Sequence, residues 1–224
     1  MVFLRYWSLS LTGVLCTAAA VGPGTGAGAE RDGAAPGKGE TLVWRLDERA
    51  VGNKLWAMRR LRGATGITDQ ARGITVQRDG IRGDCLVFDG SGSRVEVRDL
   101  PAVNLCAQGT MAAWVRIRGR CRGPRLAIAS QPKADGTAWC LYVVSAAPDS
   151  GLNLQIGVEM DRDGKPRMHR TRHGGLTHGL WYHVAATVGQ GMVRIFMDGV
   201  KVLEAPDTGS PGMGQAALIV GNDA

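Results

Sequence analysis

Three kinds of chemistry-bearing pattern are missing from this 224-residue chain. There is no Walker-type phosphate loop, no Cys/His catalytic pair and no G-x-S-x-G; Gly90-Ser91-Gly92-Ser93 lacks the strand-to-helix setting of a nucleophile elbow. Cysteine spacings of 21, 15 and 19 after Cys85 supply none of the tight C-x-x-C pairs that a zinc site needs. Charge is sparse at 21%. Long helices are disfavoured too, because Gly occupies 33 positions and costs backbone entropy wherever a helix must be continuous.

What is present suffices for one folded domain. A hydrophobic content of 44% can bury a core, which excludes a wholly disordered chain. The 27 basic against 20 acidic residues leave a net charge of +7, a surface that attracts polyanions.

Residues 1–20 have the pattern of a cleaved export signal. Arg5 is the sole charge, an apolar run covers Leu9 to Ala20, and Ala18-Ala19-Ala20 offers a cleavage site, with a second after Ala29. The run is too short and too rich in Ser, Thr and Gly for a membrane span of ~20 apolar residues. Leu15 stands where a lipoprotein signal at Cys16 requires a small residue. Residues 21–40 follow as a Gly/Ala/Pro-rich tether that cannot bury a face. The expected compartment is therefore secreted, periplasmic or cell-envelope, with no membrane span in the mature chain and no nucleic-acid partner. In such a compartment Cys85, Cys106, Cys121 and Cys140 are candidates for up to two disulfides, in any of three connectivities.

From residue 41 the chain reads as short apolar runs between Gly and Asp-Gly turns. Strands are expected at 41–47, 74–78, 85–89, 94–98, 111–118, 125–130, 139–144, 152–161, 181–188, 192–198, 200–205 and 217–221. Several alternate, as in Ala113/Val115/Ile117 against Arg116/Arg118, so one face is buried and one is wet. Asp79-Gly80, Asp89-Gly90, Asp135-Gly136, Asp163-Gly164 and Asp198-Gly199 supply the positive φ of tight hairpins. NKLWAMRRLR (53–62) has a helical look without an apolar stripe. The fold expected is all-β, an antiparallel two-sheet jelly-roll sandwich.

Four segments occur in a telling order: CLVFDGSGSRVEV (85–97), GTMAAWVRIRG (109–119), WYHVAATVGQGMVRIFMDGVKV (181–202) and ALIVGN (217–222), preceded by TLVWRLDE (41–48). Together they resemble the laminin G-like jelly-roll domains of the concanavalin A-like lectin and glucanase superfamily, over residues 41–222. The family runs on past the Gly-Asn with a further strand, so the resemblance implies a domain at 41–224 that is incomplete at its C-terminus. It implies a secreted, non-catalytic binding module whose partner is a glycan or an extracellular protein, and it admits a calcium ion held by loop carboxylates. Asp47, Asp89 and Asp198 stand in the relevant positions, but their turn and strand-end roles already account for them, and no cofactor is assigned.

Three further patterns bear on a site. Glu159-x-Asp161 begins the alternating carboxylate spacing of a glucanase, the enzymatic alternative, but Gly164-Lys165 breaks its continuation. His169, His173, His178 and His183 are clustered, yet spacings of 4, 5 and 5 do not put them on one face of a regular element. Arg116, Arg118, Arg120, Arg122 and Arg125 form the candidate ligand stripe, because guanidinium forks bind sulfate, carboxylate or phosphate oxygens bidentately. Trp56 is the candidate stacking platform; Trp44, Trp114 and Trp181 fall in strands and are expected in the core, as is His183. A structural or adhesive envelope module is the third reading.

Overall fold

The computed structural model describes residues 2–10, 41–45, 50–51, 54–55, 68–72, 74–80, 83–89, 92–98, 105–118, 125–145, 154–172, 175–215 and 217–221. Its strands in chain order are β1 (Val2–Ser10), β2 (Thr41–Arg45), β3 (Ala50–Val51), β4 (Lys54–Leu55), β5 (Thr68–Arg72) and β6 (Thr75–Gly80). Next come β7 (Gly83–Phe88), β8 (Arg94–Arg98), β9 (Gly109–Ile117), β10 (Leu126–Lys133), β11 (Gly136–Ser145) and β12 (Leu154–Arg162). The last are β13 (Lys165–Arg170), β14 (Trp181–Gly189), β15 (Met192–Met197), β16 (Val200–Pro206) and β17 (Ala217–Gly221).

They assemble into two antiparallel sheets and one short hairpin. The eight-stranded sheet runs β16-β15-β14-β9-β1-β7-β6, with β2 also paired to β1. The seven-stranded sheet runs β13-β12-β11-β10-β17-β8-β5. β3 and β4 pair with each other, so Lys54 and Leu55 are extended; the rest of the stretch with a helical look lies outside the described residues. The expected all-β sandwich is what the chain forms.

Alternation builds the core. Met111, Ala113, Val115 and Ile117 of β9 face Leu154, Ile156, Val158 and Met160 of β12 within one buried cluster. Val184, Ala186 and Val188 join from β14, and Val193 and Ile195 from β15. Trp139, Leu141 and Val143 of β11 complete the layer from the other sheet. Two-residue turns set the registers: Asp163-Gly164 (φ 54° and 73°) and Asp198-Gly199 (φ 49° and 83°) have positive φ at both central residues. That is the hairpin geometry whose twist matches the flanking strands.

Among the described residues the candidate cysteines are not joined to one another. Cys85, Cys106 and Cys140 are buried and none is bridged to another. Cys85 lies on β7 with Val87, against Trp181, while Cys140 lies with Ala127 and Tyr142 on the far side of the other sheet. Cys106 sits in the main core, its thiol donating to the Ala138 carbonyl. Three different layers cannot bring Cα atoms within the ~7 Å a disulfide spans. Burial pushes the Cys106 thiol above its ordinary pKa. Cys121 lies outside the described residues.

β1 occupies the range read as an export signal. It pairs along one edge with β9 and along the other with β7 and β2.

Candidate functional site

The face of the seven-stranded sheet turned away from the core carries its polar chemistry. On β12 the even positions are core, so Glu159 and Asp161 share the opposite face, as their spacing predicts. Each is matched by a cation from β10 or its entry. The Arg125 guanidinium donates to Glu159, with side-chain exposures of 24% and 14%. The Lys133 ammonium donates to Asp161, and this hydrogen bond raises the lysine's pKa.

Beside the Arg125–Glu159 pair lies Tyr142 of β11. Its register partner across the ladder is Gly157. The absent side chain is what makes room: a Cβ at Gly157 would fall 2.3 Å from the Tyr142 ring. The Arg125 guanidinium sits 5.6 Å from the centre of that ring. Burial pushes the phenol up to about 12. The hydroxyl is buried with no hydrogen-bond partner among the described residues, and so is Oδ1 of Asp161. Two such atoms on one face are uncommon, since most buried polar groups are paired.

The segment 207–215 straps one end of this face. Gly212 N–H donates to the Asp161 carbonyl (3.1 Å) and Gln215 N–H to the Pro132 carbonyl (2.7 Å). Ser210 N–H donates to Oδ1 of Asp163 (2.8 Å), and the Gln131 amide donates to the Gln215 carbonyl (2.9 Å). A Cβ at Gly212 would lie 2.6 Å from that of Asp161, so backbone covers this carboxylate, which is only 3% exposed. The strap is anchored by Asp207, whose carboxylate accepts from Nε of Arg162 (2.6 Å) and faces His169 Nε2 (3.3 Å). Arg162 and Asp207 are both buried, so each neutralises a charge that would otherwise be stranded.

The outward face of the eight-stranded sheet corrects the expectation for three aromatic side chains. Tyr182, Val184, Ala186 and Val188 supply β14's core-facing positions, leaving Trp181 and His183 on the outward parity. Trp114 pairs with His183 across the ladder, their rings 5.4 Å apart and tilted by 59°. All three are half-buried rather than core. Burial lowers the His183 pKa, while its backbone N–H donates to Asp198 (2.7 Å). Arg116 covers the Trp181 ring at 4.8 Å and is itself buried. The arginine stripe is thereby divided. Arg116 and the exposed Arg118 belong to one sheet, Arg125 to the other, and Arg120, Arg122 and Trp56 lie outside the described residues.

The remaining candidates do not converge. His169 is on β13 and His183 on β14, in different sheets, and His173 is outside the described residues. Asp89 accepts from the Ser93 N–H, and Asp198 from that of His183, so both carboxylates fix local backbone; Asp47 is outside the described residues. Among the described residues no three His, Cys, Asp or Glu side chains are grouped to hold a metal ion. The described positions thus do not fit the calcium ion that the resemblance admits. Nor is any helix among them long and apolar enough to cross a membrane. Tyr142 and the 207–215 strap were missed in the sequence; the register partner Gly157 and the glycines at 209, 212 and 214 were the available signals.

Solved structures to which this chain is similar include domain 4 of AbnA, a GH43 extracellular arabinanase from Geobacillus stearothermophilus, in complex with arabinotriose. It is 17% identical over 69% of this chain and 72% of that one, with a TM-score of 0.48. The binding domain of botulinum neurotoxin DC in complex with SialylT is 11% identical over 70% of this chain, with a TM-score of 0.50; the match spans 38% of that domain's chain. The carbohydrate-binding module CBM66 from Bacillus subtilis is 15% identical over 71% of this chain and 93% of that one, with a TM-score of 0.40. At 11% identity the likeness to the neurotoxin domain is one of fold alone. No curated protein matches the sequence. A family model does match, over residues 89–224 and hence more than half of the chain, and by it this protein belongs to the concanavalin A-like lectin/glucanases superfamily.

Proposed function

We propose that the protein is an exported, non-catalytic module that binds carbohydrate on the outward face of the seven-stranded sheet, around Arg125, Tyr142 and Glu159. The observation that carries this reading is the partly exposed Arg125–Glu159 pair, its guanidinium beside the Tyr142 ring. Sugar hydroxyls both donate and accept, so they match a face where a guanidinium and a carboxylate lie together. Membership of a superfamily of lectins and glucanases supports the same class of ligand. The non-catalytic half of the proposal rests on the two carboxylates. Asp161 is under the 207–215 strap and ion-paired, and the Glu159 carboxylate is neutralised by Arg125, so neither is poised as a general acid or a nucleophile.

Affinity electrophoresis through gels containing a neutral β-glucan, an arabinan, polygalacturonate or heparin tests it. Retardation by a neutral polysaccharide is expected, weakened about tenfold in Arg125→Met, with no release of reducing ends. Retardation by none of the four refutes binding. Reducing ends released by the wild type and lost in Glu159→Gln would restore the glucanase reading. A second reading, an anionic polysaccharide, is favoured by the net charge of +7 and the exposed Arg118. It predicts retention by heparin or polygalacturonate alone, falling with salt and on replacing Arg118, Arg120 and Arg122 by Ser.

A further inference from the structure

The place of β1 in the eight-stranded sheet has consequences that are independent of any glycan. β9 and β7 are not neighbours; β1 lies between them. Its first residues bridge the two directly, with Val2, Phe3 and Leu4 paired to Phe88, Val87 and Leu86 on one side and to Ile117, Arg116 and Val115 on the other. Its later residues, Trp7 to Ser10, pair with β9 from Ala113 to Thr110 and with β2 from Trp44 to Thr41. One strand therefore splices two separate partners onto β9. Without it the sheet has a gap two strand spacings wide, about 9.5 Å.

The lining of that gap states what fills it. Met111, Ala113, Val115 and Ile117 are core residues, each at most 2% exposed. Their register partners in β1 are Leu9, Trp7, Leu4 and Val2, apolar at all four positions, with an irregularity between Leu4 and Trp7 that keeps both halves in phase. Emptying the gap would bare these core residues, together with backbone N–H and C=O groups along β9 and β7, and unpaired strand edges of this kind recruit another strand. Residues 1–20 also carry the pattern of a cleaved leader.

We propose that the space between β9 and β7 is a strand-acceptor slot. Residues 2–10 fill it in this chain. Once a leader peptidase has removed them, the occupant is an extended segment of a partner protein, about nine residues long, antiparallel to β9 and apolar at the four positions facing Met111, Ala113, Val115 and Ile117. Recognition is by β-augmentation, in which main-chain hydrogen bonds give affinity and alternate side chains give register.

The test uses the full chain with a site-specific protease sequence placed within residues 21–39. After cutting, the N-terminal fragment is expected to co-elute with the remainder on size exclusion. Refolding the cut protein from urea with a labelled peptide of residues 2–10 should incorporate it at least tenfold better than the same peptide with Leu4→Lys and Leu9→Lys. Release of the fragment with the melting temperature of the remainder unchanged would overturn the proposal. So would failure to take up the peptide, or equal uptake of both peptides.

Discussion

Replacing Gly157 by Ala puts the packing of Tyr142 to a direct test. The new Cβ would lie 2.3 Å from Cζ of Tyr142, 2.5 Å from its hydroxyl oxygen and 2.6 Å from Cε2. Three atoms of a rigid ring cannot all retreat by a small torsion, and the ring is hemmed in by Arg125 above and by Ala127 and Cys140 beside it. The tyrosine must leave its rotamer. Forced overpacking of this sort costs about 1–3 kcal/mol. At ~2 kcal/mol the midpoint of thermal unfolding falls by roughly 4–8 °C in a chain of this size. Tyr142→Leu in the same background removes the clash, so the double variant should recover ~1–2 kcal/mol relative to the sum of the singles. Urea unfolding of the four proteins in the cycle measures it. A Gly157→Ala protein within ~0.5 kcal/mol of wild type, or strict additivity, would refute the stacked arrangement.

Three more predictions concern charge and burial. Tyr142→Phe deletes a buried hydroxyl that has no partner among the described residues and should stabilise the fold by ~1 kcal/mol. Because the folded phenol is pushed up to about 12, wild-type stability should be intact below pH ~10 and fall as pH rises from there towards 12, and the Phe variant should lose less over that range in urea titrations. His183 has the opposite dependence: burial lowers its pKa, so the unfolded chain binds the extra proton and stability declines as pH drops below ~6.5, a slope that His183→Gln should flatten. Asp207→Asn strands the buried Arg162 charge and should cost about 3–5 kcal/mol by urea unfolding, most of it recovered when Arg162→Met is added.

Much of the sandwich was legible because its strands are half-buried. In β9 and β12 every second side chain is apolar and enters the core, so parity alone fixed their faces. Parity also held the answer for Trp114 and Trp181. Residue type argued for the core, whereas their positions one step from Ala113 and Tyr182 place them outward. β13 could not be read this way: KPRMHR is an edge strand with five of its six residues exposed, so it shows no alternation, and its edge position accommodates Pro166. β1 was hidden for the converse reason, since an apolar N-terminal run fits an export leader as well as a strand. Of the site, the Glu159/Asp161 face was foreseeable from spacing. Their neutralising partners were not, because Arg125 and Lys133 come from another strand whose register no local pattern encodes.

The position of β17 sets the order in which this molecule can assemble. The hairpins joining β14, β15 and β16 close over neighbouring residues and can form as soon as that stretch of chain is free. β17 instead wedges between β10 and β8, and among the described residues no other strand pairs β8 and β5 to the rest of their sheet. A chain emerging N-terminus first must therefore wait, with two unfinished half-sheets exposing bare flanks, until residues 217–221 emerge. During that interval it is open to clumping with its neighbours, so a holding chaperone at the exit would raise the yield of folded protein far more than it would alter the stability of the finished one.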